Sequence, residues 1–120
     1  MIRFALALAL AASPVAAQSV KLQEHEITAL LSGNTVVGQW GEVPYRQYFD
    51  PDGATIYAEE GAGSALGQWR VAEGELQSFW PGDADWEGWF VMEYAGEFFW
   101  VSKRTPPTPF AVLDGDRLTE

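Results

Sequence analysis

A mainly β fold is predicted for this chain: a single antiparallel meander of 7–8 strands, forming a small barrel or a strongly curved sheet, with one short N-terminal helix. Three observations predict it. Beyond Asn34 apolar and polar residues alternate with a period of two. Turn chemistry then recurs about every eight to twelve residues, at Gly41, Asp50-Pro51-Asp52-Gly53, Glu60-Gly61-Ala62-Gly63, Glu73-Gly74, Pro81-Gly82-Asp83, Ala95-Gly96 and Pro106-Pro107. The links between these runs are short, so neighbouring strands must pair in chain order.

Residues 1–17 read as an export signal. Met1-Ile2-Arg3 is a short positive start, Phe4 to Ala12 is an apolar run too short to span a bilayer, and Ser13-Pro14-Val15-Ala16-Ala17 is a small-residue cleavage site. Cutting there leaves Gln18 first and implies a periplasmic or secreted protein with no stable membrane insertion. Residues 18–34 form a helical segment: Leu22 to Ser32 carries Ile27, Leu30 and Leu31 on one face, and Gly33-Asn34 stops it. A helix this short is marginal in water, so its apolar stripe must dock on the sheet. Residues 35–114 form the β domain, with strands expected at Thr35 to Trp40, Tyr45 to Phe49, Thr55 to Glu59, Gly67 to Ala72, Glu75 to Trp80, Trp86 to Tyr94, Glu97 to Lys103 and Pro109 to Leu113. Residues 115–120 are a C-terminal tail.

Without the leader about a hundred residues remain, enough for one domain and too few for two. No cysteine is present, so the fold stands on packing alone, and six Trp, four Tyr and seven Phe supply the apolar area. The net charge of −10 repels phosphate backbones and anionic lipid, which makes nucleic acid and membrane surfaces poor partners, and no nucleic-acid partner is expected. It is compatible with basic proteins, cationic ligands or Ca²⁺.

Parity along the strands, anchored on the side that carries charges, assigns the faces. Trp40, Trp69, Val71, Leu76, Trp80, Phe90, Met92, Phe98, Trp100, Phe110 and Val112 are expected inside, with Trp40, Trp69, Trp80 and Trp100 as candidate core or ligand-contacting residues. The outer set, marked by Arg70, Gln77, Glu87, Glu93, Glu97 and Lys103, also holds Phe79, Trp89, Val91, Phe99 and Val101. Phe79, Trp89 and Phe99 fall on three consecutive strands and are expected to form an outer apolar stripe, covered by the helix or used as a binding patch.

No catalytic, cofactor or metal site is assigned. His25 is the only histidine and stands between Glu24 and Glu26, and no Gly-x-Ser-x-Gly elbow is present. Asp50-Pro51-Asp52-Gly53 and Asp114-Gly115-Asp116 resemble the start of calcium loops but lack the closing glutamate, so they read as turns. Gly61-Ala62-Gly63 has no following helix or lysine to make a phosphate loop.

Glu26-Ile27-x-x-Leu30-Leu31-Ser32-Gly33-Asn34-Thr35, Tyr48-Phe49-x-x-Asp52-Gly53, Gly67-x-Trp69-Arg70-Val71 and Leu113-x-Gly115 carry a resemblance to an uncharacterised family of small exported bacterial β-rich proteins. That resemblance implies export and a β-rich domain, and no activity. The cysteine pair frequent in proteins of that look is replaced here by Ser78 and Gly88. Gly38-x-Trp40 after a short helix is similar to the start of lipocalin-like barrels, which implies eight strands around side chains or one small ligand.

The function expected is a non-enzymatic exported binding or interaction domain, whose outer stripe or acidic loops contact an envelope protein. The alternative is a lipocalin-like carrier or sensor of a small apolar molecule, and a small carboxylate-dependent hydrolase stands third. Large inward Trp residues favour a filled interior.

Overall fold

The computed structural model describes residues 18–119; the expected export signal at 1–17 and Glu120 lie outside the described residues. The elements run β1 (Val20–Lys21), α1 (Glu24–Leu31), β2 (Asn34–Trp40), β3 (Val43–Phe49), β4 (Ala54–Glu59), β5 (Ser64–Ala72), β6 (Glu75–Phe79), β7 (Glu87–Tyr94), β8 (Glu97–Val101) and β9 (Thr108–Asp114). From β2 to β9 each strand pairs antiparallel with the next, and β9 returns to β2, at Val36↔Val112 and Gly38↔Phe110 among others. Eight strands therefore close a barrel. The two-residue β1 is an addition: it pairs with β7 at Glu93 and Met92, beyond Trp89, where β6 stops.

Local chemistry sets the hairpins. Glu73-Gly74 and Ala95-Gly96 are two-residue connections in which both residues have positive φ, 58° and 77° in the first and 53° and 84° in the second. Their twist matches that of the flanking strands, and they lock the register of β5 to β6 and of β7 to β8. At the β3–β4 turn the Asp50 carboxylate accepts the Asp52 N–H and the Asp52 carboxylate accepts the Ala54 N–H, each at 2.9 Å. These acids thus shape a turn through their own backbone.

The helix does not lie on the outer face as expected. It plugs one end of the barrel, where Ile27 and Leu31 are fully buried in a core cluster with Val36, Phe49, Trp69, Leu76 and Val91. The physical reason is geometric: a closed barrel leaves the side chains at its ends bare, and an apolar helix stripe covers them better than it covers a convex outer face. Polar contacts fix the plug. The Glu26 carboxylate accepts the Gln23 N–H at 2.8 Å to start the helix, the Leu22 N–H donates to the Val91 carbonyl, and the Glu24 carboxylate accepts the Gly74 N–H across the end of the barrel.

The C-terminal residues are held as well. The Thr35 hydroxyl donates to the Gly115 carbonyl at 2.6 Å and accepts the Arg117 N–H at 2.8 Å. Thr35 is on the outer side of β2, yet it is fully buried beneath this clip.

Strand β7 faces the opposite way from the parity expectation. Directly opposed residues share a face, and Leu76↔Trp89 and Val91↔Trp100 put Trp89 and Val91 inside. Phe90 and Met92 are therefore outside, with the Lys21 ammonium 4.2 Å from the centre of the Phe90 ring. The misleading anchors are Glu87 and Glu93. Both have inward parity, opposite Ser78 and Phe98, but they stand at the two ends of β7, where an inward side chain still reaches water.

Candidate functional site

The two halves of the barrel interior differ. In the plugged half Phe49 meets Trp69 edge-on at 5.3 Å, and Trp100 stacks on Phe110 at 4.1 Å. Trp69 and Trp100 are 8% and 4% exposed. Their indole N–H groups are both used: Trp69 donates to the Asp50 carbonyl at 2.8 Å and Trp100 to the Tyr45 hydroxyl at 2.9 Å. Buried indoles need such partners.

The other half is open. Trp40, Gln47, Tyr57, Ala65, Ser78, Trp80, Glu87 and Trp89, with Pro81 and Thr105 on the connecting loops, line a solvent-open cavity of about 670 Å³, with Ala65, Pro81 and Glu87 exposed at its mouth. Register brings these residues together: Gln47↔Tyr57, Tyr57↔Ala65 and Ser78↔Glu87 are opposed pairs on the inner face. Trp80 follows directly on β6 and lies against Gly67, where an added Cβ would come within 2.5 Å of the indole. The glycine makes room for the ring. Gly38 does the same for Tyr45, whose hydroxyl would be 2.9 Å from an added Cβ.

Five rings form a continuous arc around this cavity. Trp89 contacts Trp40 at 5.5 Å between centroids, Trp40 stacks on Tyr45 at 5.6 Å, Tyr45 on Tyr57 at 5.4 Å, and Tyr57 meets Trp80 at 6.2 Å and 70°. Tyr45 is the buried floor and the other four are walls. Aromatic contacts of this kind stabilise by about 0.5–1.5 kcal/mol each beyond the area they bury. Among the described residues no protein acceptor takes the indole N–H of Trp40, Trp80 or Trp89.

Polar groups are few. Gln47 is one of them, and its side-chain amide donates to the Thr55 hydroxyl at 2.9 Å. The Tyr57 hydroxyl donates to the Glu59 carboxylate at 2.8 Å. Burial, and then that carboxylate, hold the Tyr57 phenol well above its usual range, so it stays neutral. Burial likewise pushes the Tyr45 phenol up to about 12.

Of the four tryptophans expected inside, Trp40 and Trp80 are cavity walls, whereas Trp69 and Trp100 belong to the packed half. The interior is therefore not uniformly filled. The expected outer stripe does not exist. Phe79 is outside but packs on Trp86 at 5.4 Å, with the Arg70 guanidinium 4.0 Å above the Trp86 ring; Phe99 is outside beside Met92 and Pro109; and Trp89 is within the barrel. His25 sits on the exposed side of the plug, outside the cavity.

Parity reasoning missed Trp89, Tyr57, Gln47, Ser78 and Glu87 as site residues. The hairpin at Ala95-Gly96 carries the signal that finds Trp89. A two-residue loop forces Tyr94↔Glu97, then Glu93↔Phe98 and Val91↔Trp100, so an inward Phe98 requires an inward Trp89. Compared with protein families, curated proteins and solved structures, the chain matches none.

Proposed function

We propose that this protein is a non-enzymatic exported binding protein that holds one small molecule in the hollow half of its barrel, as a carrier or sensor. The observation that carries the reading is the cavity itself. At about 670 Å³ it is in the size range of small-molecule sites, about 300–1,000 Å³, and it has their usual lining of aromatic walls with a few polar groups. Export rests on the leader-like residues 1–17. An envelope-protein partner is the weaker reading, because the stripe that motivated it is divided between the two faces of the sheet.

A neutral fluorescent probe, N-phenylnaphthylamine, tests the site. Saturable enhancement is expected, abolished by Ala65→Trp, which fills the cavity from β5, and unaffected by Leu66→Glu, which alters the outer groove where Leu66 is 63% exposed. Binding that survives Ala65→Trp and disappears with Leu66→Glu overturns the proposal.

A further inference from the structure

Resting on that reading, we infer that the ligand is a neutral molecule with an apolar body and a carbonyl oxygen, and that this oxygen is seated on the Ser78 hydroxyl in the inner wall of the cavity. Among the described residues the buried polar side chains are those of Thr35, Thr55, Gln77 and Ser78. Three of them are answered by protein. Thr35 donates to the Gly115 carbonyl, Thr55 donates to the Tyr48 carbonyl, and the Gln77 carbonyl accepts the Arg70 guanidinium. Ser78 is 5% exposed, and among the described residues its hydroxyl has no hydrogen-bond partner. It is also the one of the four that lines the cavity.

Register aims it there. Ser78 is opposed on β5 by Trp69 of the packed half and on β7 by Glu87 at the mouth, all three on the inner face. The hydroxyl therefore stands where packed rings give way to open space. Buried polar side chains are as a rule paired, and one left without a partner is costly. A ligand entering from the mouth can supply the missing bond.

The surrounding rings select the kind of atom. Trp40 stacks on Tyr45 at 14° and Tyr57 stacks on Tyr45 at 25°, so Trp40 and Tyr57 turn their faces to that ring and leave their edges to the cavity. Ring edges are the positive part of the aromatic quadrupole. The indole N–H groups of Trp40, Trp80 and Trp89, which also line the space, can only donate and have no acceptor among the described residues. Edges and donors both favour an oxygen lone pair.

Charge narrows the class further. No Lys, Arg or His is among the lining residues, the one charged residue there is Glu87, and the chain carries a net charge of −10. A carboxylate or phosphate would enter against like charge and meet no counter-ion. A carbonyl oxygen accepts from hydroxyl and indole alike, carries no charge and brings no donor of its own. The cavity of about 670 Å³ leaves ample room for an apolar body beside it.

A matched pair tests the inference: benzophenone against its hydrocarbon isostere, in which a methylene group replaces the carbonyl oxygen, each displacing N-phenylnaphthylamine from the full protein. The ketone, although the less apolar of the two, is expected to displace the probe at a concentration lower by about tenfold, the size of one hydrogen bond to a buried group. Ser78→Ala should keep probe binding, weaken the ketone and leave the hydrocarbon unchanged. Because the hydroxyl has no protein partner to lose, Ser78→Ala should also unfold at no lower a urea concentration than the native protein. Equal displacement by the pair in the native protein, or a ketone preference that survives Ser78→Ala, overturns the carbonyl inference while probe binding and its loss in Ala65→Trp leave the cavity reading intact. A lower urea midpoint in Ser78→Ala overturns it as well, since it shows a hydroxyl that is already paired. Loss of the cavity reading shows instead as probe binding indifferent to Ala65→Trp.

Discussion

The two ends of this barrel are built differently. At the plugged end the connections are tight: Glu73-Gly74, Ala95-Gly96 and the Asp50 turn, with a helix seated over the interior. At the hollow end two longer connections, residues 80–86 and 102–107, frame the cavity, and no helix of the described residues covers it. Indole hydrogen bonding divides the same way. Trp69 and Trp100 donate to protein acceptors, and the cavity tryptophans do not. The lesson is that one residue type closes a packed core where its N–H finds a protein acceptor and lines an open space where it does not.

That division is breakable. The largest effect is expected from Leu31→Ala in the plug: full burial predicts a loss of about 2–5 kcal/mol in urea unfolding. A loss below about 1 kcal/mol would mean that the plug does not hold the barrel. Tyr45→Phe, at the boundary between the halves, removes the acceptor of the Trp100 N–H and should cost about 1–3 kcal/mol.

Alkaline titration sharpens the same boundary. The folded Tyr45 phenol is raised by burial from 10.0 to about 12, so the unfolded chain gives up this proton first. Its contribution to stability is whole below pH 10 and is lost as pH rises through about 12. Unfolding monitored across this window should show a steeper alkaline decline in the native protein than in Tyr45→Phe.

Trp80→Ala should cost less than the plug variant because its ring is only half-buried, losing about 0.5–1.5 kcal/mol for the contact with Tyr57 on top of the area packed against Gly67, yet abolish probe binding. Equal damage to stability in Trp80→Ala and Leu31→Ala would erase the distinction between the halves. The smallest effect is a gain. Ala95 sits at φ 53°, a conformation that asparagine adopts more readily, so Ala95→Asn should stabilise by about 0.5–1 kcal/mol with probe binding unchanged.

Much of the scaffold is legible in the chain. The strands at Tyr45 to Phe49, Thr55 to Glu59, Glu75 to Trp80 and Glu97 to Lys103 are observed within a residue or two of their expected bounds, because turn residues end them and alternation fills them. Strand β7 shows where that reading fails. From Trp89 to Met92 every residue is apolar, so alternation is silent, and the acids at its ends point inward without being buried in apolar surroundings. The two-residue β1 is illegible for another reason: its pairing comes from space left on β7 beyond β6, not from any pattern of its own.

Composition and periodicity by themselves determined a mainly β, cysteine-free domain with one short helix and an aromatic interior, since a period of two and frequent turn residues act locally. Closure through β9 and β2, the seat of the helix in the barrel end, and the hollow ringed by Trp89, Trp40, Tyr57 and Trp80 were decided only in three dimensions. Alternation says which residues share a face. Whether that face encloses packed rings or open space depends on side-chain volumes gathered from strands far apart in the chain, and no local pattern adds them up.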